Sequence, residues 1–104
     1  MVIHSVYFWL SDGLSGEDVE AFRKGLESLR PVETVATIYI GTPARTEPRP
    51  VIDASYDFSL IVLFQSVEAH NLYQTHPLHE AFVRDCKKYW KKVQIYDTEV
   101  PVLA

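Results

Sequence analysis

The stretch Tyr56-Asp57-Phe58-Ser59-Leu60-Ile61-Val62-Leu63-Phe64 (residues 56–64) is the strongest strand signal in the chain. Its β-branched and aromatic residues suit a pleated backbone. Alternation puts Phe58, Leu60, Val62 and Phe64 on one side and Asp57, Ser59, Ile61 and Leu63 on the other. Both sides are rich in apolar residues, so both require cover.

Reading forward, Ser66 caps a short helix with Ala69, Leu72 and Tyr73 facing inward. Pro77 lacks an amide hydrogen and biases His76 away from the α region, so that helix stops near Thr75 or His76 and another starts at Pro77. In the second helix Phe82, Val83, Cys86, Tyr89 and Trp90 recur at spacings of three and four, one apolar stripe running to about Trp90. A last strand spans Val93 to Val100 and ends at Pro101.

Reading backward, a proline-rich segment from Gly41 to Ser55 is a long surface loop with the character of a lid. Val35 to Ile40 is a strand closed by Gly41, Thr42 and Pro43. Before it, Ser15 is the N-cap of a helix with Val19, Phe22, Leu26 and Leu29 at helical spacing, ending at Arg30 before Pro31. The first strand, Ile3 to Leu10, places His4, Val6, Phe8 and Leu10 on one face and Ile3, Ser5, Tyr7 and Trp9 on the other.

The order is therefore strand, helix, strand, strand, broken helix, strand. This is an α+β fold of the ferredoxin-like βαββαβ kind, a four-stranded antiparallel sheet with helices on one face. One sheet face stays bare although strands one and three are apolar on both sides. The economical solution is a homodimer in which two bare faces close on each other as a dimeric α/β barrel.

With 104 residues, 47% hydrophobic and 23% charged, residues 1–104 read as a single domain. A net charge of −4 without a basic run argues against nucleic acid. The N-terminal apolar run is too short to span a bilayer, and Cys86 as the sole cysteine gives no reason to invoke an oxidising compartment. No membrane partner and a cytoplasmic location are the expectation.

Tyr73-Gln74-Thr75-His76-Pro77-Leu78-His79 is the one segment that reads as a site, because it crowds proton-exchanging side chains around a helix break. Counting back from Phe82 and Val83 by three and four reaches His79, which puts it on the inward face. A neutral histidine can take a proton from an activated carbon acid, and a tyrosine hydroxyl can steady the enolate that forms. His70 is assigned to the solvent side of its helix and His76 to the structure of the break. His76 and His79 with His4 make an incomplete ligand set, so no metal is expected. The chain lacks a phosphate-cradling glycine loop, and no cofactor is expected either.

The set His4-x-Val6-x-Phe8, Tyr56-Asp57, Phe64-Gln65-Ser66, Tyr73-x-x-His76-Pro77-x-His79 and Tyr96-Asp97 resembles the stress-responsive dimeric α/β-barrel (Dabb) family over nearly the whole chain. The resemblance implies a ferredoxin-like protomer and a homodimeric barrel. Within the family the chain is similar to plant olivetolic acid cyclase, a cofactor-independent polyketide cyclase, through Tyr73, His76, His79, His4, Trp90, Val93 and Ile95. That similarity implies His79 as base with Tyr73 assisting. In the first helix Arg23 and Leu26 stand where the cyclase has aromatic residues.

The resulting expectation is a homodimer whose protomer binds a small, largely apolar or phenolic molecule between sheet and helices. His4, Val6, Phe8, Leu60, Tyr73, His76, His79, Trp90, Val93 and Ile95 would line the pocket. The alternatives are a cofactor-independent cyclase, isomerase or lyase using His79 and Tyr73, and a structural stress-response protein with a filled pocket and no ligand.

Overall fold

Residues Val2–Leu10 form strand β1, buried at every even position and half-buried at every odd one. In the computed structural model, which describes residues 1–101, β1 is central to a four-stranded sheet. Its partners are β3 (Phe58–Phe64) on one side and β4 (Trp90–Glu99) on the other, with β2 (Thr37–Gly41) beyond β3. Every pairing is antiparallel. The fold is ferredoxin-like α+β.

Register decides which side chains meet. Val6 lies opposite Leu60 on β3 and Ile95 on β4, while His4 lies opposite Val62 and Asp97. These residues therefore share one sheet face, the face that packs under helix α1 (Gly16–Glu27), α2 (Val67–Gln74) and α3 (Pro77–Cys86). The core between the layers holds Phe8, Phe22, Leu26, Val62, Phe64 and Tyr73, each at most 2% exposed.

Local chemistry sets the helix ends. Ser15 accepts from the Asp18 amide and Asp18 reaches back to the Ser15 amide, so two of the free donors at the start of α1 are satisfied. Ser66 caps α2 through the Ala69 amide.

Several element boundaries differ from the sequence reading. Helix α1 ends at Glu27 and not at Arg30, because Ser28 turns back onto the Gly25 carbonyl and the next amides make tighter i−3 bonds; Leu29 is nevertheless fully buried in that turn. Strand β2 starts at Thr37 and β3 at Phe58, each about two residues late. Leu72 is exposed, since α2 turns its Tyr73 and not its Leu72 edge to the sheet. Trp90 does not end the helical stripe. A short 3-10 turn at Lys87–Tyr89 intervenes, and Trp90 opens β4 opposite Leu10.

The 41–55 segment lies on the bare-face side, where the Trp9 indole donates to Ser55 Oγ at 3.0 Å. It contributes no residue to the cavity described below. No helix among the described residues is long and apolar enough to cross a membrane.

Candidate functional site

The break between α2 and α3 is built by His76 and Pro77. His76 has extended backbone and caps α3, its Nδ1 accepting from the Leu78 amide at 3.1 Å, while Pro77 occupies the first helical position, where a missing N–H costs nothing. His76 Nε2 lies 3.1 Å from Glu33. This side chain is thus committed to the helix break, and it does not line the cavity, a correction to its place among the predicted pocket residues.

Three residues after His76, His79 turns into a cavity of about 180 Å³ between the helices and the sheet. The wall brings together His4, Val6, Phe8, Leu60, Tyr73, His79, Trp90, Val93 and Ile95. Gln74, Phe82 and Val83 complete it. Phe82 and Val83 were legible as inward residues of the helical stripe, whereas Gln74 gave no signal. Arg23 and Leu26 of α1 are absent from the wall: Arg23 is tied to Glu20 on the surface and Leu26 is sealed in the core.

The polar groups of this wall form one cluster. The His79 ring sits edge-on to the Tyr73 ring at 4.8 Å between centroids, and the His4 ring stands 6.0 Å from Tyr73. Tyr73 is 1% exposed, and burial alone drives its hydroxyl well above the ordinary phenol range, so it is a proton donor at any physiological pH. Burial also lowers His79 below the usual imidazole value, reinforced by nearby His4 and opposed by the Gln74 backbone and Glu80. Near neutral pH an uncharged His79 therefore stands beside an un-ionised phenol.

His4 is 2% exposed, and its Nδ1 lies 2.5 Å from Asp97 Oδ1 across the β1–β4 pair. Burial lowers its pKa more than the Asp97 contacts raise it. In the neutral ring Nδ1 donates to the carboxylate and Nε2 keeps its lone pair.

His70 is not on the solvent side. Its ring packs 4.8 Å from His4 and 5.5 Å from Phe64, because residues three apart on a helix share a face and Tyr73 sets that face inward. Asp97 was also missed as a site residue: its place opposite His4 depends on the register of β1 and β4.

A sheet of this order under three helices defines a ferredoxin-like α+β protein with a cavity beneath the helix break. The chain belongs to the stress responsive A/B barrel domain (Dabb) family, whose model matches residues 2–100. Among solved structures it is similar to a Dabb family protein of Mesorhizobium loti with a ferredoxin-like fold, at 26% identity and TM-score 0.76, covering 97% of this chain and 96% of that one. A dimeric ferredoxin-like protein of Thermobifida fusca matches at 18% identity and TM-score 0.76, covering 95% and 90%. The hydroxynitrile lyase of Passiflora edulis matches at 14% identity and TM-score 0.78, covering 99% and 95%. A search of curated proteins by sequence finds no match.

Proposed function

We propose that this protein binds a small, largely apolar molecule, about the size of one substituted ring, in the cavity beside His79. The observation that carries the reading is an apolar cavity of about 180 Å³ whose polar wall groups, His4, Tyr73, Gln74 and His79, lie together. Apolar cavities of about 150 Å³ take up benzene, and pockets for drug-sized ligands start near 300 Å³. A monocyclic phenol or β-dicarbonyl fits those limits, its ring against Phe8, Phe82 and Trp90 and its oxygens toward Tyr73 and His79.

One observation favours an enzymatic version of the same site. A neutral imidazole and an un-ionised phenol stand ring to ring, the arrangement needed to remove a proton from a carbon acid and to hydrogen-bond the resulting oxyanion. His79 is the base in this reading and Tyr73 the donor. A cyclase, isomerase or lyase step without a cofactor would use both, and the hydroxynitrile lyase of similar fold makes the lyase class worth testing first.

Self-association belongs to the proposal. The sheet face opposite the helices carries Tyr7, Trp9 and Tyr96, with Tyr96 61% exposed in the single chain, and the Thermobifida fusca protein of the same fold is described as dimeric.

The test is a set of thermal melts of wild type, His79→Ala and Tyr73→Phe with a panel of phenols, β-dicarbonyls and cyanohydrins. Wild type should gain melting temperature with at least one compound, and both variants should lose that gain while staying folded. Destabilised variants together with a wild type that responds to nothing would sink the reading.

A further inference from the structure

The face of His4 turned toward Asp97 and His70 is a second cluster, and the sequence reading passed over it. One ligand atom from each of His4, His70 and Asp97 lies within 4.8 Å of the other two. His4 Nδ1 is 2.5 Å from Asp97 Oδ1, and His70 Nε2 is 3.9 Å from Asp97 Oδ2. Tetrahedral coordination at about 2.1 Å holds ligand atoms roughly 3.4 Å apart. The observed separations lie on either side of that value, so small side-chain shifts would bring the three atoms around one ion.

The surroundings also suit a metal. His70 Nδ1 lies 3.0 Å from Asn71 Oδ1, which can only accept, so Nδ1 carries the proton and the Nε2 lone pair points away from it. That is the outer hydrogen bond by which proteins fix the tautomer of a ligating histidine. The Nε2 atom meets the Gln74 side-chain amide at 3.2 Å, a contact an ion would replace. His4 is anchored among Phe64, Tyr73 and His70 rings, a dry wall behind the site, while Asp97 is half exposed on the edge strand β4 and gives an entry path.

We propose that His4, His70 and Asp97 form a binding site for a divalent first-row transition metal ion, with zinc the best match to two imidazoles and one carboxylate. Binding inserts the ion between His4 and Asp97: two N–M bonds and one O–M bond form, the His4–Asp97 hydrogen bond is given up, and the single proton of the neutral His4 ring moves from Nδ1 to Nε2. Soft thiolate metals are disfavoured because Cys86 is not part of the trio, and magnesium is disfavoured because two of three ligands are nitrogen. His70 and Asp97 lie outside the wall of the cavity beside His79, and His4 is shared between the two sites.

The test is titration of the chelator-stripped full-length chain with Co²⁺, read by its visible d–d absorption, followed by competition with Zn²⁺ and by melts in Zn²⁺ or Mg²⁺. Wild type should bind one equivalent of Co²⁺, yield it to Zn²⁺, and gain melting temperature with Zn²⁺ but not with Mg²⁺. His70→Ala, His70→Gln and Asp97→Asn, checked for fold by circular dichroism, should each bind at least about tenfold more weakly. His76→Asn, which keeps a good helix cap and removes the surface pair with Glu33, should bind as wild type does. Absence of cobalt absorption in wild type, or wild-type affinity in the His70 and Asp97 variants, would overturn the assignment.

Discussion

Gly25 of α1 and Cys86 of α3 meet so closely that a Cβ placed on Gly25 would overlap the Cys86 sulfur while only touching the Phe82 ring. This contact sets how deeply the two helices pack over the Phe22 and Phe82 layer. A glycine within a helix costs about 1 kcal/mol relative to alanine, so its presence here reflects the close approach and not local preference. Gly25→Ala should lose about 1 to 2 kcal/mol, the overpacking cost less the gain in helix propensity. Cys86→Ala in the same chain should recover much of that loss, and a double-mutant cycle by urea denaturation reads the coupling. Additive single effects would show that the helices are free to separate.

Tyr73 separates stability from binding. Burial is the sole influence on its hydroxyl acidity, with no hydrogen bond contributing. Tyr73→Phe should therefore leave the denaturation midpoint unchanged or slightly raised, because no intramolecular hydrogen bond is removed. Binding of a phenolic ligand should weaken by about 0.5 to 1.5 kcal/mol, one neutral hydrogen bond. A large stability loss in Tyr73→Phe would instead mean that the hydroxyl serves the core.

How far the sequence led can be traced through individual residues. Alternation on β1 and β3 and the stripe of α3 are local periodicities, so His4, Val6, Phe8, Leu60 and Phe82 could be put on their faces before any tertiary structure was known. The proline break at Pro77 was equally local. His76 was placed in the pocket by family resemblance, yet its ring was spent on capping α3, a competition between cap and site that spacing does not decide. Asp97 became visible only through cross-strand register, and His70 only through the rotation of α2, which Leu72 misled by being apolar and exposed. Trp90 was misassigned because a helical stripe and the first residue of a strand can continue one spacing pattern.

Protonation should unfold the metal-free protein from the histidine side. Burial lowers His79, with His4 and His70 adding to it and the Gln74 backbone and Glu80 opposing; burial lowers His4 too, against Asp97. Between the lowered folded values and the ordinary value of 6.5, the unfolded chain binds more protons than the folded one. Stability is therefore full above about pH 6.5 and declines as pH falls through that window. Urea midpoints measured from pH 8 to 5 with chelator present should show the decline, and His79→Asn should flatten it. A midpoint that rises as pH drops from 7 to 5.5 would contradict the sign.

Aromatic truncations should rank by burial and not by size. Phe22 is fully buried and packs on Phe8 at 5.2 Å and Phe58 at 5.5 Å, whereas Trp90 is half-buried at the cavity wall, 5.3 Å from Phe8 and 5.8 Å from Phe82. Phe22→Ala should cost about 3 to 5 kcal/mol, the range for a large buried aromatic. Trp90→Ala should cost less, because its side toward the cavity gives up few contacts. Guanidinium unfolding of both variants checks the order, and a larger loss for Trp90 would mean that the cavity is closed in solution.

The bare sheet face makes the last prediction. Tyr7 packs edge-on against Tyr56 at 4.9 Å and Tyr96 at 6.3 Å, and Tyr39 and Tyr96 remain 59% and 61% exposed in the single chain. Ile61 and Leu63 lie on the same face, half-buried. Pairing with a second copy would stabilise an apolar surface of this kind on a chain of 104 residues, and a two-fold axis would do so for both faces at once. Light scattering at micromolar concentration should give twice the 11.9 kDa chain mass. Tyr96→Lys would bury an unpaired ammonium in that interface, so the variant should scatter as a single chain while its circular dichroism stays that of the wild type. A wild type that scatters at 11.9 kDa would leave the face bare in solution and remove the barrel from the functional reading.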